Sequence, residues 1–139
     1  MKARIKWRSD VSFAGESESG HTIIMDGAPA AGGHNQGPRP MELVLLGMGG
    51  CTSFDVVTIL RKARQDIVDC VAELDAQRAE TDPKVFIKIH VHFIVSGRKL
   101  DVRKVERAIE LSSQKYCSAT RMLAKTAEIT HDFEVIDVA

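Results

Sequence analysis

Residues 40–60 read PMELVLLGMGGCTSFDVVTIL, and this run decides what the rest of the chain has to do. A proline in first place suits the opening turn of a helix, where its missing N–H would have no partner anyway. Leu43, Val44, Leu46, Met48, Phe54, Val56, Val57, Ile59 and Leu60 spread around such a helix rather than along one stripe, which predicts burial on most sides. Glu42, Thr52, Ser53 and Asp55 interrupt the run and argue against a membrane span. Gly47, Gly49 and Gly50 each cost about 1 kcal/mol of helix propensity relative to alanine, a cost that close packing or access to the Cys51 sulfur would explain. The stretch predicts a helix from Pro40 to Arg64, wrapped by other elements, with a thiol at the point of closest approach.

Upstream, Lys2–Arg8 alternates Ala3, Ile5 and Trp7 with Lys2, Arg4, Lys6 and Arg8. That is the pattern of a half-buried strand with a solvated basic face. Val11–Glu16 and His21–Asp26 predict two more strands across a turn at Ser17–Gly20, together an antiparallel meander. The segment 27–39, GAPAAGGHNQGPR, predicts a mobile loop with His34 exposed. Its paired glycines lack the GK[ST] of a phosphate loop.

Downstream, residues 68–77 alternate, with Cys70 in the apolar parity. Val85–Ser96 sets Val85, Ile87, Ile89, Val91, Phe93 and Val95 on one face and His90 and His92 on the other. Asp101 is a good N-cap for a helix that turns Val102, Val105, Ile109 and Ser112 inward. KYCSATRMLAKTA (115–127) predicts a second helical piece from Ser118, and a last strand follows at Ile129–Val138. The order β-β-β-α-β-β-α-α-β predicts one α+β domain over residues 1–139, with antiparallel sheets around a long central helix. That helix has more apolar girth than one sheet can cover, which predicts an intertwined homodimer.

Lys plus Arg and Asp plus Glu both total 19, for a formal net charge of zero. This balance argues against nucleic acid or an acidic membrane surface as the main partner. No charged segment followed by an apolar one opens the chain, so a cytoplasmic location is expected. Cys51, Cys70 and Cys117 form no CxxC or zinc spacing, and three thiols in a reducing compartment make no disulfide framework. Cys70 reads as an inert core residue. His90 and His92 offer two metal ligands, but spacing places no third beside them, so neither a metal site nor a cofactor is predicted. Cys117 directly precedes the predicted helix at Ser118, with Arg121 four residues on. On these grounds alone it is the better thiolate candidate, since Cys51 lies about three turns inside its helix, beyond the reach of the dipole.

Pro40-Met41-Glu42-Leu43, a glycine-rich stretch and Cys51 together resemble the P-x-E-L…C helix of the OsmC/Ohr superfamily, the osmotically inducible and organic hydroperoxide resistance proteins. KYCSAT at Cys117 falls where the second cysteine of that family sits, and the likeness spans nearly the whole chain. GGC…DVV…L together with KYCS is most similar to a small OsmC-like subgroup. The resemblance implies an OsmC-like fold and an intertwined homodimer with a site at each subunit interface. It implies that Cys51 attacks a hydroperoxide and becomes a sulfenic acid, that Cys117 condenses with it, and that a dithiol reductant reopens the disulfide. In the peroxidase branch, a loop arginine and a glutamate directly after the proline support the reactive thiolate. Here Met41 follows Pro40 and Glu42 comes one place later, about 100° around a helix. Residues 17–26 hold no arginine, and Ser118 follows Cys117 where the family has proline. Glu42, Arg39 and Arg121 are therefore the candidate supporting groups. Two functions compete: a cysteine peroxidase for organic hydroperoxides, and a non-catalytic dimer of the same fold that binds a small apolar molecule.

Overall fold

The computed structural model describes residues 1–139 and divides into two compact units, Met1–Leu46 and Gly47–Ala139. In the first, β1 (Ala3–Ser9), β2 (Ser12–Ser17) and β3 (Thr22–Asp26) form an antiparallel meander. The tight β1–β2 turn puts Asp10 at φ 49°, and its carbonyl accepts from the Trp7 indole N–H at 2.9 Å. The alternation of β1 is present, but its half-burial is not. Every β1 residue is exposed, Ile5 by 60% and Trp7 by 65%.

The 27–39 loop is hydrogen-bonded back to the end of β3. Asp26 is buried, and its Oδ2 accepts from the backbone N–H of His34 at 3.0 Å and of Gln36 at 3.2 Å. These two bonds hold its carboxyl below the ordinary range, against the pull of burial and with help from the Gly27 N–H. The returning loop lays Gly33 so close to the Gly27 carbonyl that a β-carbon there would overlap it.

α1 (Pro40–Lys62) starts in the first unit and ends in the second. Arg39 is its N-cap residue: its carbonyl accepts from Leu43 N–H at 3.1 Å, and its N–H donates to Glu42 Oε1 at 2.8 Å. This is the backward half of a capping box, which satisfies a backbone donor at the helix start. By length and apolar composition alone α1 would suffice to cross a membrane. Met48, Thr52, Val56 and Leu60 make one buried stripe at four-residue spacing, while Leu46 and Phe54 are exposed, so the expected burial on most sides is not found.

In the second unit, β4 (Asp66–Arg78) and β5 (Phe86–Arg98) pair antiparallel, and β6 (Glu128–Asp137) joins the other edge of β5. The β5–β6 pairing is parallel, so the expectation of purely antiparallel sheets is corrected. Parallel neighbours need a crossover of a dozen or more residues, and α2 (Val102–Leu111), a π-turn (Ser112–Tyr116) and α3 (Ser118–Leu123) supply it. Ile89, Val91, Phe93 and Val95 of β5 are buried on one face as predicted. At the strand ends the parity inverts: Phe86 is buried while Ile87 is exposed, and Val68 is exposed on β4. Both inversions sit beside register irregularities, at Gln77/Arg78 and at Ile67/Asp69, where an extra residue turns following side chains to the other face. Asp101 caps α2 through Arg103 N–H at 2.9 Å. Val105, Ala108 and Ile109 are then turned inward and Val102 is left exposed.

Candidate thiol site

The buried stripe of α1 includes Thr52, which rotates its neighbour Cys51 to the flank of the helix, where it is half-buried. Gly49, one turn earlier on the inner side, lets Leu74 of β4 approach to within 3.0 Å of where a β-carbon would stand. Close packing therefore accounts for that glycine.

Cys117 reaches the site from the other side of the core. Past α2 the helix widens, and Cys117 N–H closes the π-turn on the Ser112 carbonyl at 2.8 Å. The backbone of Cys117 then turns extended, at φ −76° and ψ 102°, and α3 begins at Ser118 as predicted. The Cys117 sulfur is the N-cap acceptor, taking the Thr120 hydroxyl at 3.0 Å and the Thr120 N–H at 3.4 Å.

The two thiols titrate in opposite directions. Burial pushes the Cys51 thiol up, but the Ala119 N–H, the Cys117 thiol and the Ser118 hydroxyl converge on its sulfur. The balance lies below the ordinary cysteine value, even with the Asp55 carboxylate opposing. Burial is also the largest influence on Cys117, and there it wins over the two Thr120 bonds, so its thiol is raised. This reverses the residue-based ranking of the two cysteines. A six-residue helix offers a short dipole, while full burial of Cys117 removes the water that would solvate a thiolate. Chemically, the arrangement presents a partly accessible sulfur that ionises more easily than an ordinary thiol, with a buried thiol that ionises less easily beside it.

Of the candidate supporting groups, Glu42 caps α1 as described, and Arg39 donates through Nη1 to Asn35 Oδ1 at 2.6 Å. Arg121 is exposed on α3, and the groups that lower Cys51 most are neutral. Cys70 is half-buried on β4, with its thiol raised by burial and by Asp69, as expected of an inert core position. His90 and His92 do gain a carboxylate: Asp132 Oδ1 lies 2.9 Å from His90 Nε2 and 2.7 Å from His92 Nδ1. These are hydrogen bonds on an exposed sheet face, and no group of three or more His, Cys, Asp or Glu residues is arranged to hold a metal ion.

The family model described as OsmC-like protein matches residues 33–132, and the chain belongs to the OsmC family. It is similar to Protein YhfA of Escherichia coli strain K12, 49% identical over 136 residues and covering 98% of each chain. A solved structure from structural genomics is 48% identical, with a TM-score of 0.91 over 99% of this chain and 100% of that one. More distantly, an organic hydroperoxide resistance protein OsmC from Legionella pneumophila, described as a predicted redox protein, shares the fold. Its TM-score is 0.69 at 14% identity, over 99% of this chain and 96% of the other.

Proposed function

We propose that the protein is a thiol-dependent peroxidase that reduces organic hydroperoxides through Cys51 and Cys117. The observation that carries this reading is the pairing of a lowered Cys51 with a raised, buried Cys117. The Cys51 thiolate attacks the terminal oxygen of ROOH, the O–O bond breaks, and the alkoxide takes a proton and leaves as ROH. Cys51 is then a sulfenic acid. The Cys117 thiol displaces its hydroxyl as water, forming the disulfide. A dithiol reductant reopens the pair by exchange, ending oxidised itself.

The working unit is a homodimer. Leu46 and Phe54 of α1 are 62% and 70% exposed, which leaves apolar surface for a second copy to cover. Stopped-flow mixing with cumene hydroperoxide tests the reading. Loss of two thiols in the native protein, one product sulfenic acid in Cys117→Ser and no reaction in Cys51→Ser are expected. Equal peroxide consumption by Cys51→Ser would rule it out.

A second reading, an apolar-ligand-binding dimer without peroxide activation, is favoured by the lack of a cation among the groups that act on the Cys51 thiol, where the one charge is the opposing Asp55 carboxylate. Native mass spectrometry of freshly purified protein separates the two. A co-purifying apolar molecule with no peroxide turnover selects the second.

A further inference from the structure

Beneath the two cysteines lies a polar cluster that the peroxide chemistry does not use. Ser112 is fully buried, and its Oγ stands 2.8 Å from Thr52 Oγ1, 2.9 Å from Asp55 Oδ2 and 3.4 Å from the Thr52 carbonyl. An ionised carboxylate only accepts, so the Ser112 proton goes to Asp55, and the Thr52 hydroxyl in turn donates to Ser112 Oγ. Thr52, the residue next to Cys51, is itself buried. The carbonyl of Ser112 meanwhile holds the Cys117 N–H at 2.8 Å.

One residue therefore ties the helix at the Cys51 position to the backbone of Cys117. An isolated buried hydroxyl is costly unless bonded, and packing alone would be better served here by alanine. A buried polar network of this kind, fully satisfied, fixes a single arrangement.

We infer that Ser112 is a positioning residue that sets the approach of Cys117 to Cys51, through the Thr52–Ser112–Asp55 network on one side and the π-turn on the other. This rests on the reading of the two cysteines as a redox pair, though not on the identity of the peroxide.

The test uses glutathione as the probe. In a mixture of reduced and oxidised glutathione, Cys51–SH plus Cys117–SH plus GSSG gives the protein disulfide plus two GSH. The equilibrium constant measures the effective concentration of one thiol at the other. Ser112→Ala is expected to lower that constant by about tenfold, since small misplacements of reacting groups cost of this order or more. Thr52→Val, which keeps the shape and removes one link, is expected to lower it about threefold by the same argument. Ser112→Thr, which keeps the hydroxyl, should restore most of the value. A merely structural serine would lower the urea midpoint and leave the constant unmoved.

Constants for Ser112→Ala and Thr52→Val equal to that of the native protein overturn the inference, as does a native protein that forms no Cys51–Cys117 disulfide. Should Ser112→Ala fail to fold, Thr52→Val decides the matter alone. A native protein inert to cumene hydroperoxide whose disulfide still depends on Ser112 refutes the peroxidase reading and supports the positioning role.

Discussion

Cys51 and Cys117 carry the same thiol, and their surroundings make them chemically different. Donors directed at the Cys51 sulfur outweigh its partial burial, whereas at Cys117 burial outweighs two donors. Alkylation by iodoacetamide across a pH series, read peptide by peptide, should show Cys51 reacting with a midpoint below that of an ordinary cysteine, and Cys117 above it. Asp55→Asn removes a charge that opposes the Cys51 thiolate, so its midpoint should fall further still, and a rise would contradict this account. The sequence already contained both cysteines, the N-cap place of Cys117 and the family spacing. It did not contain their ranking, because burial of Cys117 depends on how α2 and the π-turn pack.

The helix starts follow from local chemistry and were legible in the chain. Pro40 with Glu42 starts α1, Asp101 starts α2 and Cys117–Ser118 starts α3, each through side chains within four residues of the groups they serve. Asp101→Ala removes the N-cap bond of α2 and should lower stability by about 1 kcal/mol, measurable as a reduced urea midpoint with an unchanged slope.

Strand pairing is different. The parallel register brings Asp132 opposite His92 and its carboxylate to both histidines. Hydrogen bonding to Asp132 raises His92, and Asp132 itself is lowered by His92 and then His90. The histidine contribution to stability is full below about pH 6.5 and is lost as pH rises through its higher folded value. The aspartate contribution is present above about pH 3.9 and is lost as pH falls through its lower folded value. Asp132→Asn should therefore bring the His92 titration, followed by proton NMR, back down toward its ordinary midpoint. An unchanged midpoint would show that Asp132 is not the cause.

At the scale of the molecule, apolar surface is left exposed on both β1 and α1. Ile5 and Trp7 of β1, and Leu46 and Phe54 of α1, are all more than half exposed. Scattered single residues would be ordinary, but a helix with only one buried stripe and a strand exposed along its whole length call for a covering partner. Sedimentation at micromolar concentration should report a dimer, and Phe54→Asp should shift it toward monomer by placing a charge on the apolar face. A native protein that sediments as a monomer would remove the dimer from the proposal.

The chain alone specified the elements, their order, the α+β class and the two cysteines of an OsmC-like protein, because propensity, capping and alternation act over a few residues. Tertiary structure decided the rest: the parallel edge strand, the inverted parities at the ends of β4 and β5, the tethering of the 27–39 loop by Asp26, the ranking of the thiols and the Thr52–Ser112–Asp55 link. Each of these depends on groups outside any one element meeting in a dehydrated or paired setting, as Thr52 and Ser112 do across 60 positions. No local pattern encodes such a meeting.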